Sequence, residues 1–377
     1  MQIRIQKSIL VDAVSQVSKA VSQKTTIPIL TGILCQATSE GLTLTGSNSD
    51  ITIQVFISLK HDETDQVFIQ QTGEVILPGK IFADIVRKLP GDTVEWVVGD
   101  QYQTTIRSKQ AEFHLNGLPT QEFPRLPQLE EENVVSIATD TLNALIRQTG
   151  FAVSTSEARG VLTGVLIQLQ EGILTCVATD SHRLSYQQAM VEVSNDVQLE
   201  NVIVPGKSLA ELAKTFHDQD EVVDIIVAEN QMLVKTEHIS FYSRLLEGTY
   251  PDTNRVIPKN GETHLLASTR DLLQSVDRAS LMSRDGRDNV IKWTIKPNSI
   301  EVNSASQDIG SVSEEVAAQV EGNELSISFN ARYMIDALRT IESDQVKIQF
   351  TGTMTPFLIQ PVDTSDSLHV IVPIRTR

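Results

Sequence analysis

One amphipathic pattern occurs three times along the chain and predicts three equivalent helices. The segments cover residues 78–89, 205–216 and 330–341. In each segment apolar residues fall at i, i+3, i+4 and i+7, a spacing that places them on one face of a helix. The apolar positions are, in chain order, Phe82, Ile85, Val86 and Leu89; Leu209, Leu212, Ala213 and Phe216; and Met334, Ala337, Leu338 and Ile341.

The three segments also share an order of charges on the opposite face. A base, an acid and a base recur at the same spacing, as Lys80, Asp84 and Arg87; Lys207, Glu211 and Lys214; and Arg332, Asp336 and Arg339. Because apolar register and charge order agree in all three, we predict one domain written three times, with about 126 residues per copy.

Each copy contains an earlier helix and several strands. The earlier helices are predicted at 8–21, 140–153 and 269–282, with Asp140 and either Ser268 or Thr269 as N-caps. Hairpins are predicted at 30–37 with 42–45, 162–169 with 173–177, and 290–295 with 300–302. Period-2 strands such as 94–98 and 346–350 follow the repeated helices. The fold class is therefore α+β, with two helices packed on antiparallel sheets in each of three domains.

Two similar motifs mark the domain boundaries. Glu122-Phe123-Pro124 and Thr249-Tyr250-Pro251 are 127 residues apart, the same offset that separates the Pro-Gly-Lys starts at 78 and 205. The predicted domains are residues 1–127, 128–258 and 259–377.

Charge is distributed unevenly along the chain. The net charge is −17, from 48 acidic and 31 basic residues, which argues against a protein that grips nucleic acid through a broad basic surface. Basic side chains nevertheless recur on the three helices, whereas acids concentrate at 130–132, 218–224, 314–315 and 363–366. A repeated basic helix face within an acidic protein suits a molecule that surrounds a polyanion. The alternative is a solvated helix face with i,i+4 ion pairs.

The sequence shows no signal for a membrane span, a leader or a cofactor. No apolar run is long enough to cross a bilayer, and no charged-then-apolar leader begins the chain, so we expect a soluble cytoplasmic protein. Cys35 and Cys176 have neither metal nor redox spacing and are predicted to be small buried hydrophobes. Phosphate-loop, zinc and nucleophile motifs do not occur, so no cofactor or metal is predicted.

The densest polar cluster is Asp180-Ser181-His182-Arg183. Neighbours in an extended segment point to opposite faces, and catalytic triads are assembled from distant segments, so a strand-end or binding-loop role is favoured. An enzyme using Asp180, His182 and Arg183 as acid–base groups remains one alternative. A monomeric scaffold that binds peptides but not DNA is another.

Specific motifs support a resemblance over the whole chain. The chain resembles the DNA polymerase III beta subunit family, the bacterial sliding clamps. The matching segments are Ile27-Pro28-Ile29-Leu30, Leu118-Pro119, Phe123-Pro124, Val177-Ala178-Thr179-Asp180-Ser181-His182-Arg183-Leu184, Val204-Pro205-Gly206-Lys207, Tyr250-Pro251-Asp252, Arg255-Val256-Ile257-Pro258-Lys259-Asn260, Phe329-Asn330, Tyr333 and Val372-Pro373-Ile374-Arg375.

The resemblance implies a non-enzymatic processivity factor. Members form a head-to-tail homodimer of three-domain subunits, a closed ring around duplex DNA with helices lining the hole and sheets forming the outer wall. Contact with the phosphates is then weak and independent of sequence, and a bound polymerase gains a high effective concentration of primer ends. Implied partners are the replicative polymerase alpha subunit, the clamp loader, other polymerases and repair proteins, which dock through short peptide motifs.

The resemblance also implies three sets of site residues. An apolar peptide-binding pocket would comprise Leu162, Thr179, His182, Arg183, Leu184, Pro251, Arg255, Val256, Asn330, Tyr333, Met354, Val370, Val372, Pro373, Ile374 and Arg375. DNA contacts would involve Lys24, Lys80, Arg87, Arg147, Arg159, Lys207, Lys214, Arg270, Arg278, Arg332 and Arg339. The dimer interface would pair Phe113 and Leu115 with Leu281 and Met282 of the other copy.

Three positions depart from the family pattern. Ser181 stands where relatives often have glycine, which would leave its loop less free to adopt a positive φ. Arg287 would make the pocket rim more polar, and Thr376-Arg377 would extend the tail over the groove.

Overall fold

The computed structural model describes residues 1–22, 25–61, 64–126, 134–193, 197–216, 222–283 and 289–376. Lys24, Arg287, Arg377 and the acidic run at 130–132 therefore lie outside the described residues. The chain divides into two compact units, unit 1 comprising Met1–Thr139 with Glu211–Leu245, and unit 2 comprising Asp140–Ala210 with Leu246–Arg377. The boundaries predicted after residues 127 and 258 stay predictions, and residue 127 itself is not described.

All six predicted helices occur in the described part of the chain. They are α1 Lys7–Ser18, α2 Gly79–Lys88, α3 Thr139–Thr149, α4 Gly206–Thr215, α5 Thr269–Ser283 and α6 Ala331–Leu338. Three ends differ from the prediction. Helix α1 ends at Ser18 rather than near Val21. After α3 the chain tightens into a 3₁₀ turn at Gly150–Ala152. Helix α6 stops before Ile341, with Arg339 as its C-cap donating its N–H to the Ile335 and Ala337 carbonyls.

The described residues contain 28 strands. In unit 1 they are β1 Gln2–Gln6, β2 Gly32–Ala37, β3 Gly41–Ser47, β4 Ile51–Ser58, β5 Lys60–His61, β6 Thr64–Asp65, β7 Val67–Gln71, β8 Gly73–Pro78, β9 Thr93–Val98, β10 Gln103–Ser108, β11 Ala111–Asn116, β12 Val134–Ala138, β17 Val222–Val227, β18 Gln231–Lys235 and β19 Ile239–Arg244. In unit 2 they are β13 Gly164–Gln170, β14 Ile173–Thr179, β15 Arg183–Met190, β16 Leu199–Pro205, β20 Thr263–Ser268, β21 Val290–Lys296, β22 Ser299–Ser306, β23 Gly310–Ala317, β24 Gln319–Gly322, β25 Leu325–Asn330, β26 Gln345–Phe350, β27 Phe357–Pro361 and β28 Ser367–Ile371.

Each unit contains one large and one smaller antiparallel sheet. In unit 1 the strand orders are β12-β17-β18-β19-β4-β3-β2-β8 and β11-β10-β9-β1-β7, with β5 and β6 forming a small ribbon. In unit 2 they are β16-β13-β14-β15-β28-β27-β26-β20-β24 and β23-β22-β21-β25. The predicted hairpins are β2-β3, β13-β14 and β21-β22, so all three are confirmed.

The two large sheets repeat one topology. Strands β8-β2-β3-β4-β19-β18-β17-β12 of unit 1 correspond in order to β16-β13-β14-β15-β28-β27-β26-β20 of unit 2. Register agrees as well, because Gly32 pairs with Pro78 in unit 1 and Gly164 pairs with Pro205 in unit 2. The predicted internal repeat is therefore visible in the backbone pairing itself.

Apolar side chains from helices and sheets form the cores. In unit 1, the rings of Phe82 and Trp96 lie 5.1 Å apart. In unit 2, Trp293, Phe329 and Phe357 follow one another at centroid distances of 4.9 and 5.2 Å. The predicted apolar helix positions are buried, apart from Ile85 and Ala213, which are half-buried.

Both cysteines are buried and free, as predicted. Burial raises the pKa of the Cys176 thiol to about 12 and that of Cys35 well above its usual range. Neither thiol is therefore poised for redox or nucleophilic chemistry.

A buried histidine joins several elements of unit 2. His369 on β28 is hydrogen-bonded to the hydroxyls of Ser185, at 2.9 Å, and Thr340, at 3.3 Å, and its ring lies 5.6 Å from that of Phe151. Burial lowers the pKa of His369 to about 4, because an apolar surrounding disfavours the imidazolium.

We expect His369 to make unit 2 less stable in acid. Its pKa is lower in the folded chain than in the unfolded one, so the stability it confers is complete above about pH 6.5 and is lost as the pH falls towards 4. Between about pH 8 and pH 5 the loss amounts to roughly 2 kcal/mol. Denaturant unfolding followed by Trp293 fluorescence in a Trp96→Phe background measures it. His369→Gln is the control, and equal pH dependence with and without His369 would contradict the assignment.

Candidate peptide-binding groove and basic helix faces

The C-terminal segment and the loop before β15 lie side by side in unit 2. Strand β28 pairs with β15, so that Leu184 lies opposite Val370 and Arg183 opposite Ile371. Past the end of the strand, the Val372 N–H donates to the His182 carbonyl at 2.9 Å, and the Ile374 N–H donates to the Ser328 carbonyl at 2.7 Å. These bonds anchor Val372 and Ile374 of the predicted segment 372–375.

Asp180 fixes the loop that precedes β15. Its Oδ1 accepts from the backbone N–H groups of His182, at 2.9 Å, and Arg183, at 3.1 Å. Ser181 adopts a φ of 76° despite having a side chain. Its N–H donates to Thr179 Oγ1 at 3.1 Å, and its Oγ accepts from Arg159 at 3.0 Å. The predicted restriction at Ser181 is thus overcome by local hydrogen bonds.

Arg183 is the best-held side chain of the site. Its Nε lies 3.1 Å from Asp180 Oδ2 and its Nη1 2.7 Å from Asp336 Oδ2. Nη2 donates to the Phe151 carbonyl at 2.6 Å, and the guanidinium lies 4.6 Å from the centre of the Tyr333 ring. Because its side chain is only 10% exposed, Arg183 acts as a largely buried link between the loop, α6 and Phe151.

Asp336 corrects the predicted charge pattern. In the first two repeated helices, the acid pairs with the following base of its own helix, Asp84 with Arg87 at 3.9 Å and Glu211 with Lys214 at 2.8 Å. The Asp336 carboxylate instead pairs with Arg183, which belongs to another part of the sequence. The third charge triplet is therefore not an exposed ladder like the other two.

An apolar cluster forms the floor of the groove. Its buried members are Leu166, Val177, Leu184, Ile203, Tyr250, Leu358 and Val370, with Leu162 partly buried against them. The Tyr250 hydroxyl accepts from the Thr179 N–H at 3.1 Å, and burial raises the pKa of Tyr250 to about 12. We call this cluster the apolar floor.

Several other predicted pocket residues are exposed. Val256 and Met354 are 48% and 54% exposed, which is unusual for apolar residues of this size. Pro251, His182 and Arg255 are also exposed, and Arg255 pairs with Asp252 at 2.8 Å. Asn330 caps α6 by accepting from the Arg332 N–H at 2.8 Å, and Pro373 is buried.

The structure adds supporting residues that the sequence prediction omitted. Tyr250, Asp180 and Asp336 hold the floor, the loop and Arg183 respectively. Tyr250 and Asp180 lie within the sequence motifs 250–252 and 177–184 that support the family resemblance. Their closeness in sequence to predicted pocket residues could therefore have identified them. The Asp336–Arg183 pair had no such signal, because the two residues are 153 positions apart.

The acid–base alternative finds no support in this geometry. Both carboxylate oxygens of Asp180 are used by backbone N–H groups and by Arg183, whereas the His182 side chain is exposed. Asp180 therefore does not orient His182 as the acid of a triad would. Among the described residues, no cluster of His, Cys, Asp and Glu is suited to hold a metal ion.

The candidate DNA-contacting bases that the structure describes are all exposed. Most have an acidic partner: Arg87 with Asp84, Arg147 with Glu342, Lys207 with Glu157, Lys214 with Glu211, Arg278 with Glu314, and Arg339 with Asp277. The bond from Arg278 lowers the pKa of Glu314. Arg159 donates to the Asp180 carbonyl at 2.8 Å, so it also supports the groove loop. Which bases contact DNA stays a prediction.

The predicted interface residues lie on partly open surfaces. Phe113 and Leu115 are half-buried on β11 and alternate with exposed neighbours. Leu281, 45% exposed, and Met282, half-buried, fall in the last turn of α5. In the described residues, β11 and β23 are each paired along one edge only.

Comparison with known proteins agrees with this geometry. Residues 1–127, 136–252 and 254–375 match the N-terminal, central and C-terminal domains of the DNA polymerase III beta subunit. The chain is 48% identical over 378 residues to the beta sliding clamp of Bacillus subtilis and 45% identical over 377 residues to that of Staphylococcus aureus, with full coverage of both chains. The solved Bacillus subtilis clamp superposes with a TM-score of 0.98, and the beta chain from Streptococcus pneumoniae, 37% identical, with 0.95.

The fold is the three-domain sliding clamp fold of helices and antiparallel sheets, and the chain belongs to the DNA polymerase III beta subunit family. Within the described residues, no helix combines the length and the apolar character needed to cross a bilayer.

Asp336 and Asp84 provide a matched test of the buried ion pair. We expect Asp336→Asn to lower the free energy of unfolding by about 1–3 kcal/mol, because it weakens a partly buried bond to Arg183. Asp84→Asn, at the equivalent position of an exposed pair, should cost no more than about 0.5 kcal/mol. Denaturant unfolding measures both, and equal losses would contradict the distinct role of Asp336.

Proposed function

We propose that this chain is a processivity clamp without enzymatic activity. Two copies would join head to tail into a ring around duplex DNA and tether the replicative polymerase, working in the cytoplasm where the chromosome lies. The observation that carries the proposal is the matching strand topology of a chain of the sliding clamp family: among the described residues, β11 and β23 each lack the neighbouring strand that their counterparts in the large sheets have.

Strand topology supports a ring made from two copies. In the large sheets, β4 pairs with β19 and β15 pairs with β28. By position in their sheets, β23 is the third counterpart of β4 and β15, and β11 is the third counterpart of β19 and β28. Unlike their counterparts, which pair with each other within a large sheet, β23 and β11 of one copy each keep one edge without a partner strand in the described residues. Pairing β23 of one copy with β11 of the next is a head-to-tail contact, and such contacts close into a ring when the rotation allows it.

The uneven charge supports a ring through which DNA passes, rather than a basic surface that binds DNA tightly. Lys80, Lys207 and Arg332 occupy equivalent exposed positions near the starts of α2, α4 and α6. Facing a duplex, they would attract phosphates without reading sequence. The net charge of −17 disfavours DNA on the remaining surface. Topological retention makes tight contact unnecessary, so the protein can slide.

The groove of unit 2 supports peptide docking. An apolar floor, within a frame fixed by Arg183 and Asp180, suits the apolar side chains of a short motif. The exposed Val256 and Met354, which belong to the predicted pocket, would add apolar surface. Polymerase, clamp loader and repair proteins would bind there in turn, since a small apolar site gives exchangeable affinity.

We expect Leu115→Asp to break the dimer. A carboxylate on the half-buried face of β11 would be desolvated at the proposed junction. The solution mass should fall from about twice the chain mass of 41.6 kDa to the mass of one chain, and retention on closed circular DNA should be lost. Asn116→Asp is the control, because it adds the same charge to the exposed face of the strand. It should leave a dimer that is retained on circular DNA and slides off only after the DNA is linearised. A wild-type monomer, or equal retention on linear DNA, would refute the ring.

We expect Val256→Asp to abolish stimulation of the replicative polymerase while dimer mass and DNA retention persist. The substitution places a charge in the predicted pocket at a position that is not buried, because Val256 is 48% exposed. Val362→Asp changes a valine of similar exposure, 53%, outside the predicted pocket and should stimulate normally. Polymerase extension on a primed circular template measures both variants. Full stimulation by Val256→Asp would show that the groove assignment is wrong.

A further inference from the structure

Unit 1 contains a second loop with the same backbone frame as the peptide groove. Asn48 Oδ1 accepts from the N–H groups of Asp50, at 2.8 Å, and Ile51, at 2.9 Å, as Asp180 does for His182 and Arg183. The Arg244 N–H donates to the Asp50 carbonyl at 2.9 Å. The Val372 N–H makes the same bond, at 2.9 Å, to His182 in unit 2.

The apolar residues behind this loop correspond as well. The buried cluster in unit 1 consists of Ile29, Leu30, Leu34, Ile76 and Phe123. Aligning the two large sheets at Gly32 and Gly164 places the first four residues at the positions of Val161, Leu162, Leu166 and Ile203. The shared aromatic-Pro motif places Phe123 at the position of Tyr250. All five counterparts belong to, or pack against, the apolar floor of unit 2. The first unit therefore contains a smaller version of that floor.

The side chains around the second frame give it a different chemistry. A cavity of about 300 Å³ opens there, and Leu30, Ile51 and Pro124 are among its apolar lining residues. By strand register, Thr52 and Tyr242 replace Leu184 and Val370. Arg125 replaces Asp252 by its place after the aromatic-Pro motif, and Arg244 replaces Val372.

The two arginines are positioned to bind an external anion. Both are exposed, and neither has an ion-pair partner within the described ranges. They outnumber the single lining acid, Asp50. In a chain of net charge −17, such a local cationic rim attracts carboxylates, and guanidinium groups bind them in a two-bond geometry.

We propose that this cavity is a second peptide-docking groove, selective for a short segment that carries an apolar side chain flanked by carboxylates. Ile27, Leu30 and Pro124, which line the cavity, accept the apolar side chain, and Arg125 and Arg244 bind the acids. This inference goes beyond the proposed function, since it concerns a site that polymerase tethering does not require.

Methyl NMR of the full-length protein tests the proposal with two defined probes. One is the acetylated, amidated hexapeptide Asp-Glu-Leu-Phe-Asp-Glu, and the other is its neutral counterpart Asn-Gln-Leu-Phe-Asn-Gln. Ile27 and Ile51 line the second groove, whereas Ile374 reports on the first. We expect the acidic peptide to shift the Ile27 and Ile51 methyl signals and to bind there at least ten times more tightly than the neutral one.

The double variant Arg125→Glu with Arg244→Glu should weaken this binding at least tenfold. Lys88→Glu with Lys109→Glu is the matched control, since it changes the charge of unit 1 equally at exposed positions away from the cavity, and it should bind as the wild type does.

Unmoved Ile27 and Ile51 signals at about 1 mM peptide, shifts at Ile374 alone, or equal binding of both peptides would overturn the proposal. A short thymidine oligonucleotide that shifts these methyls more strongly than the acidic peptide would overturn it too. Because Ile374 is read separately, failure here is distinct from failure of the first groove.

Discussion

The antiparallel ladder between β15 and β28 is the constraint on which the candidate groove depends. It pairs Arg183 through Gln187 with Ile371 through Ser367, joining segments that are far apart in sequence. Because side chains alternate across a strand, a slip of one residue would turn Leu184 and Val370 away from the apolar floor. The same slip would move His369 away from Ser185. Floor, buried histidine and loop frame thus rest on one register.

The sequence predicted the local elements well and their long-range pairing poorly. All six helices were found to within a few residues, because buried side chains at a 3.6-residue period leave a clear local pattern. The hairpin strands were found for a similar reason. The sequence of β15, however, does not indicate that β28 is its neighbour. Alternation of apolar and polar residues shows which side of a strand is buried, but it does not show which strand it pairs with. The pocket residues were assembled from the family resemblance, and the pairing explains how Leu184 and Val370, which are distant in sequence, come to lie opposite each other.

Asp336 shows how one local pattern can hide two roles. It occupies the same place in its helix as Asp84 and Glu211, and the charge order alone gives all three one interpretation. Its environment differs because the β15–β28 pairing brings Arg183 against α6, where a carboxylate can compensate a guanidinium that is only 10% exposed. Arg159 is a second example. It is an exposed base that was predicted to contact DNA, and its side chain donates hydrogen bonds to Asp180 and Ser181 of the groove loop. Repetition preserved the residue type while tertiary contact changed its use.

The two grooves separate what a backbone frame determines from what side chains determine. Asparagine at 48 and aspartate at 180 fix the same turn, because either side-chain oxygen can accept from the two N–H groups that follow. The frame therefore tolerates exchange at its own positions and leaves the surrounding positions free to diverge. Under the proposals for the two grooves, arginine at 244 in place of valine at 372 would change the preferred ligand from apolar to acidic, while the backbone bond to the turn is the same in both. Duplication of a fold supplies the shape of a site, and a few replacements then set its specificity.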